Sequence, residues 1–264
     1  QGNLISMKRS GDTGSALQLY GFARLDAIYD DKQAGLDELL GYALSDDVTA
    51  ESGDFYLHPK LTRLGVDLMG PSIDILGGAE LTGKVEVDFY RQFQSSESRD
   101  EFRMRHAWMK LSWADWYLMG GQTFDTISPL YPAVNPDAGS WGIGNLGDRR
   151  PQFILGYTPS LGDGELSLVG SVGQSGANSS SQGDDSATYQ GRLSYKHPMF
   201  GSNIEVGLWG HYSDEDGFDS DAYGMDLTLP IGSALTLKGE VWAGKNLDNV
   251  RGGAWQNGVN LLGD

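Results

Sequence analysis

Residues 102–152 decide the fold. They read FRMRHAWMKLSW (102–113), a two-residue break at Ala114-Asp115, WYLMGGQTFD (116–125), TISPLYPAVNPDAGSWGIGNLGD (126–148) and RRPQ (149–152). Two runs of strand length joined by a minimal turn predict a β-hairpin. The segment that follows is 23 residues long, far beyond the connections usual in a compact domain, and a loop of that length is functional or disordered. Ile127, Leu130, Tyr131, Trp141 and Ile143 give it apolar anchors, and Pro129, Pro132 and Pro136 lower the entropy cost of holding one shape. The composition therefore predicts a packed loop over 126–148.

Outward from this hairpin, period-two alternation recurs. Over 15–31, Leu17, Leu19, Gly21, Ala23, Leu25, Ala27 and Tyr29 fall on one face, and Gln18, Tyr20, Phe22, Arg24, Asp26 and Asp30 on the other. Over 79–90, Leu81, Val85, Val87 and Phe89 oppose Glu80, Thr82, Lys84, Glu86, Asp88 and Tyr90. Further strands are expected over 57–69, 152–158, 165–174, 187–196, 203–212, 222–229 and 235–245, about eleven in all. For 102–113 the preferred phase puts Arg103 and Arg105 in a polar space and turns Met104, His106 and Trp108 outward. An arginine deep on a lipid-facing surface would cost roughly 2–4 kcal/mol.

Connections alternate in length. Short turns near 70–71, 114–115, 161–163, 198–202 and 230–234 interleave with long polar loops near 32–54, 95–100, 126–148, 175–186 and 213–221. That rhythm is expected of an antiparallel transmembrane β-barrel, in which every second connection returns to the same side. The expected fold is thus all-β, a single barrel domain over 1–264 with 126–148 folded inward as a constriction loop. Bacterial barrels usually close with an even strand number. Eleven strands followed by a loop-like 246–264 predict a chain incomplete at its C-terminus, drawn from a barrel of 12–16 strands or more.

Composition narrows the function. The net charge of -17, from 36 acidic and 19 basic side chains, argues against affinity for nucleic acid or anionic surfaces. Cysteine is absent, which removes disulfides and thiol chemistry. No run of about 18 apolar residues exists, so a helical span is excluded, whereas a barrel exposes only alternate residues to lipid. No signal-peptide pattern begins at Gln1, as expected of a processed, excised or non-exported chain.

Catalytic signatures are lacking: there is no GxSxG, no HExxH, and His58, His106, His197 and His211 have no metal-site spacing. Glu86 and Asp88, two apart on a strand and roughly 7 Å by strand rise, suit a glycosidase pair, but a charged strand face produces such pairs anyway. The GxGxxG match at 142–147 neither follows a strand nor opens a helix. Asp214, Asp216, Asp219 and Asp221 offer calcium donors, but Gly217 is misplaced for an EF-hand loop. A non-enzyme with no cofactor and no metal is expected.

Five runs occur in order: LTRLGVD (61–67), KVEVDFY (84–90), FRMRHAWMKL (102–111), GGQTFD (120–125) and RRPQFILGYTP (149–159). As an ordered set, covering roughly the first 160 residues, they resemble the DcaP-like trimeric porins of Gram-negative outer membranes. The resemblance implies a homotrimer in outer-membrane lipid that passes small hydrophilic solutes, in some members organic anions such as dicarboxylates. It also implies a basic lining of Arg63, Arg103, Arg105, Arg149 and Arg150.

Strand phase independently supports Arg63, Arg103, Arg105 and Arg150, facing Asp26, Glu86 and Asp88. Arginine keeps its charge when desolvated, and opposed charges across a lumen orient permeating solutes. The expected pore lining is Arg24, Asp26, Arg63, Lys84, Glu86, Asp88, Arg103, Arg105, Arg150 and Gln152. The bland reading is that these charges only pair with one another. The rival protein class is a soluble all-β carbohydrate-binding module, which would gather its aliphatic side chains in a dry centre.

Overall fold

The computed structural model describes residues 2–8, 14–31, 34–35, 42–43, 53–90, 102–131, 144–175, 187–215, 218–232 and 234–250. Among them the strands are β1 (Gly2–Lys8), β2 (Ala16–Phe22), β3 (Asp26–Asp30), β4 (Ala34–Gly35), β5 (Tyr42–Ala43), β6 (Asp54–His58), β7 (Arg63–Ile73), β8 (Ala79–Asp88), β9 (Arg103–Trp113), β10 (Trp116–Phe124), β11 (Arg149–Tyr157), β12 (Ser160–Leu161), β13 (Gly164–Gln174), β14 (Ala187–Met199), β15 (Ser202–Glu215), β16 (Phe218–Ile231) and β17 (Leu235–Lys245). Helical turns among these residues are limited to 3-10 pieces at Asp74–Leu76 and Leu247–Val250. One sheet runs β1-β2-β7-β8-β9-β10-β11-β13-β14-β15-β16-β17, with β12 beside β13; β3–β6 and β4–β5 are separate antiparallel ribbons. The chain divides into two compact units, Gln1–Pro71 with Thr82–Ala107, and Ser72–Leu81 with Trp108–Asp264.

In the second unit the register makes the two faces explicit. One cross-strand row reads Leu168, Leu193, Leu208, Met225 and Val241, and all five are exposed. The row beside it, on the opposite face, reads Ser194, Gly207, Asp226 and Glu240, of which Ser194 and Asp226 are buried. β11 repeats the pattern, with Arg150, Gln152 and Ile154 buried and Phe153 and Leu155 exposed. Burial is therefore inverted relative to a water-soluble sheet. Each large aliphatic side chain left in water forgoes about 1.5–3 kcal/mol of burial. Ten of them would forgo more than the ~5–15 kcal/mol that holds a typical domain together. Such a face is suited to an apolar surrounding.

The first unit follows the same rule. Tyr20, Glu86, Asp88 and Arg105 are buried, while Leu17, Leu64, Met69, Val85 and Met104 are exposed. Among the described residues, buried apolar side chains gather only in two small clusters, Ile127, Leu146, Trp209, Ala222, Leu247 and Val250 in the second unit and Leu61 with Tyr90 in the first, and the strands' aliphatic rows do not join them as the rival's dry centre would require.

Element boundaries depart from the sequence reading in several places, five of which bear on the site. First, 15–31 is not one strand but β2 and β3, and 57–69 is β6 and β7. Thr62 Oγ1 accepts from Arg24 N at 3.0 Å and donates to Arg24 O at 3.2 Å, so a side chain replaces the strand ladder there, beside a turn closed by Thr62 N on Pro59 O. Second, the turn expected at 70–71 lies at 74–78. Gly77 and Gly78, at φ +71° and +78°, supply a left-handed conformation that Pro71 cannot adopt. Third, β15 and β16 extend into the loop expected over 213–221, pairing as far as Glu215 with Phe218.

Fourth, alternation changes phase inside β9. Met104 and Met109, of opposite parity, are both exposed, and the adjacent Arg105 and His106 are both buried. The phase expected for Arg103 and Arg105 is seen at Met104 and Arg105, but neither His106, which is buried, nor Trp108, which is half-buried, is turned outward. Fifth, β1 was not anticipated from its composition and pairs along β2 from Lys8 with Ala16 to Gly2 with Gly21.

Candidate functional site

In the first unit, β2, β7, β8 and β9 bring seven charged side chains together around Tyr20. Asp88 accepts from Arg103 through both oxygens, at 2.8 Å from Nε and 2.5 Å from Nη2, and from Arg105 Nη1 at 2.8 Å. Glu86 Oε1 accepts from Arg105 Nε at 2.8 Å, and Oε2 accepts from the Tyr20 hydroxyl at 2.7 Å. Lys84 Nζ lies 2.7 Å from Asp67 and donates to the Tyr20 hydroxyl at 2.9 Å. Arg63 Nε stands 3.5 Å from Glu86 Oε1.

Four cations (Arg63, Lys84, Arg103, Arg105) against three carboxylates (Asp67, Glu86, Asp88) leave this cluster one positive charge in excess. Accessibility is divided: the side chains of Arg63, Lys84 and Arg103 are 21%, 26% and 28% exposed and those of Glu86 and Asp88 are 6% and 0% exposed, while Asp67, paired with Lys84, is 36% exposed. Each of these three cations also lies over a ring: Arg63 over Phe22 at 5.5 Å, Lys84 over Tyr20 at 4.3 Å and Arg103 over Tyr90 at 4.7 Å. The rings support the cationic groups from behind without neutralising them. Chemically, the wall offers guanidinium and ammonium donors to an anion beside two buried carboxylates, Glu86 and Asp88, and one accessible carboxylate, Asp67.

In the second unit, the described ends of the 126–148 loop are seated on the polar face. Ser128 Oγ donates to Glu240 Oε2 at 2.5 Å, Leu130 N donates to Glu240 Oε1 at 2.8 Å, and Trp242 Nε1 donates to Gly144 O at 3.0 Å. Ile127 and Leu146 pack with Trp209, Ala222, Leu247 and Val250 in a small buried cluster. Gly147 N donates to Val250 O, so the 3-10 turn after β17 is bound to the same loop. Residues 132–143, with Trp141 and the start of the glycine run at 142–147, lie outside the described residues.

Arg150 is the clasp of this arrangement. Its guanidinium holds Asp125 by Nε at 2.6 Å and Nη2 at 3.0 Å, and reaches Gln174 O, Thr188 Oγ1 and Asn249 O. Only 1% of the side chain is exposed, so the position expected to line a pore is closed off behind the loop ends. Gln152 is also buried and donates to the carbonyls of Thr123 and Phe124, joining β11 to β10. Arg24 and Asp26 pair at 2.7 Å where β2 gives way to β3. Of the ten expected lining residues, the structure therefore brings together Arg63, Lys84, Glu86, Asp88, Arg103 and Arg105.

Sequence reasoning missed Tyr20 as the hub and missed a second network. Arg192 donates to both oxygens of Asp226, at 2.9 Å from Nε and 2.6 Å from Nη2, to Glu205 at 2.9 Å and to Ser194 Oγ at 3.0 Å. Alternation in β14 already places Thr188, Gln190, Arg192 and Ser194 on one face, which was the available signal. Of the aspartates offering calcium donors, Asp219 accepts from the Tyr212 hydroxyl and Asp221 pairs with Lys245, and Asp216 lies outside the described residues. No group of three metal-binding side chains occurs among the described residues.

An antiparallel meander with its polar side chains sheltered, its aliphatic side chains exposed and the described ends of a long loop seated on the polar face is consistent with a porin-like β-barrel fold. No family model matches the sequence, and no curated protein matches it. Among solved structures, the crystal structure of the outer membrane channel DcaP of Acinetobacter baumannii is similar over 90% of this chain, with a TM-score of 0.62 and 20% sequence identity. This chain spans 66% of the length of that one. The DcaP-like resemblance read from the ordered motifs therefore holds at the level of fold.

Proposed function

We propose that this protein is an outer-membrane porin of a Gram-negative bacterium, a homotrimeric diffusion channel for small hydrophilic solutes with a preference for small organic anions such as dicarboxylates. The observation that carries this reading is the inverted burial, with Leu168, Leu193, Leu208, Met225 and Val241 exposed in one row while charged networks are sheltered on the other face. Lipid would cover the first face, and a water-filled lumen would solvate the second. The anion preference is supported by the partly exposed cations Arg63, Lys84 and Arg103 beside the buried Glu86 and Asp88. The 126–148 loop is the constriction in this reading, pinned by Glu240, Trp242 and Arg150.

No catalysis is proposed. Glu86 and Asp88 accept hydrogen bonds from Tyr20, Arg103 and Arg105, which leaves neither carboxylate placed as an acid–base partner. The channel reading is tested in planar bilayers under a salt gradient. Discrete conductance steps with an anion-selective reversal potential are expected. A cation-selective potential sinks the anion preference, and a folded protein that stays soluble without detergent and gives no steps sinks the porin.

A further inference from the structure

Three of the four cations around Tyr20 are committed to carboxylates, and one is not. Arg103 holds both oxygens of Asp88, Arg105 bridges Glu86 and Asp88, and Lys84 pairs with Asp67. Arg63 has only a 3.5 Å approach to Glu86 Oε1, and its Nε makes no hydrogen bond. Tyr20 explains why Glu86 does not close on it. The tyrosine hydroxyl fills Glu86 Oε2 at 2.7 Å, Arg105 already fills Oε1, and the same hydroxyl accepts from Lys84.

The hydroxyl can stand there because the residue paired with Tyr20 across β2 and β7 is Gly65. A Cβ at Gly65 would strike the Tyr20 ring and its hydroxyl. The glycine is thus a seat for the ring, and the ring holds a neutral donor against a carboxylate that would otherwise seek a cation.

We propose that Tyr20, seated on Gly65, is the specificity-determining residue of this wall: by satisfying Glu86 with a neutral donor, it keeps Arg63 available to dock a permeating oxyanion such as a carboxylate. This deepens the channel reading above and rests on it. The guanidinium fork of Arg63 matches the two oxygens of a carboxylate, and its partial exposure lets the anion leave again.

The test uses the full chain in planar bilayers under gradients of potassium chloride and potassium acetate. Tyr20→Phe removes one oxygen and no formal charge, so loss of charge cannot explain a change in selectivity. The freed Glu86 oxygen is expected to capture Arg63, and the anion-to-cation permeability ratio falls about threefold, the size of one partly screened charge beside the path. Arg63→Gln is expected to lower the ratio by a similar factor, and the double variant to lower it no further than either alone. A Tyr20 that merely supports the sheet would alter conductance or thermal stability and combine additively with Arg63→Gln. Unchanged selectivity in Tyr20→Phe, or additive losses, overturns the proposal while the channel reading stands. A wild type without conductance overturns the channel reading, and this proposal with it.

Discussion

Arg150 shows how a single buried cation can serve the loop rather than the solute. It satisfies Asp125 twice and donates to two carbonyls, Gln174 O at the end of β13 and Asn249 O in the 3-10 turn after β17. Replacing it with glutamine leaves the Asp125 carboxylate buried beside a group too short and too weak to pair with it. Breaking a buried pair from one side costs about 3–5 kcal/mol. Arg150→Gln is therefore expected to lower the unfolding free energy of the detergent-folded protein, read from its urea transition, by that amount, and the loop, less tightly held, to admit larger conductance steps. A stability change under about 1 kcal/mol would mean that Asp125 finds water instead. At the same scale Gly207 admits the Arg192–Asp226 pair, since a Cβ there would meet both partners.

At the scale of elements, the loop and β17 are coupled through one carboxylate. Glu240 accepts from the Ser128 hydroxyl and the Leu130 amide, and hydrogen bonds to a charged acceptor contribute about 1.5–3 kcal/mol each. Glu240→Ala leaves the Leu130 amide without a partner, whereas the Ser128 hydroxyl can still donate to Asn145 Oδ1 at 3.1 Å. The Leu130 amide should then exchange with solvent at least tenfold faster, tenfold being roughly 1.4 kcal/mol, while amides in the centre of β15 keep their rates. Uniform acceleration across β15 would indicate global destabilisation and argue against a local pin. The phase change in β9 is a second device of this scale. By interrupting strict alternation at Arg105-His106, it keeps both arginines on the Glu86 and Asp88 side while returning Met109 to the apolar face.

For the whole molecule, the discriminating property is which face tolerates charge. Leu155 and Leu208 are exposed in the apolar rows. If that face meets lipid, Leu208→Arg costs roughly 2–4 kcal/mol near the bilayer middle. If it met water, an exposed leucine replaced by arginine would change stability by no more than about 0.5 kcal/mol. Urea titration of the variant in lipid vesicles, followed by heat-modifiable gel mobility, separates the two outcomes. A second global expectation concerns salt. Raising ionic strength from about 0.1 M to 1 M shortens the Debye length from about 10 Å to 3 Å, so the anion preference should weaken as salt rises. A preference unchanged over that range would mean that selectivity comes from pore size instead of charge.

Local pattern alone determined much of this protein. Alternation in 79–90 or 203–212 is a property of consecutive residues, and it sorted apolar from polar faces before any partner strand was known. The ordered motifs and the rhythm of short and long connections carried the fold class for the same reason. Tertiary structure decided what depends on distant partners. Thr62, 38 residues away, ends β2 by capping Arg24. Arg150, expected beside Arg63 in a lumen, is buried because Asp125 and Asn249 converge on it from positions 25 and 99 residues away. Tyr20 becomes a hub only when register sets it over Gly65 and against Glu86. Which face a side chain takes follows from its neighbours in sequence, but which charge remains free to meet a solute follows from geometry across strands, which no single strand encodes.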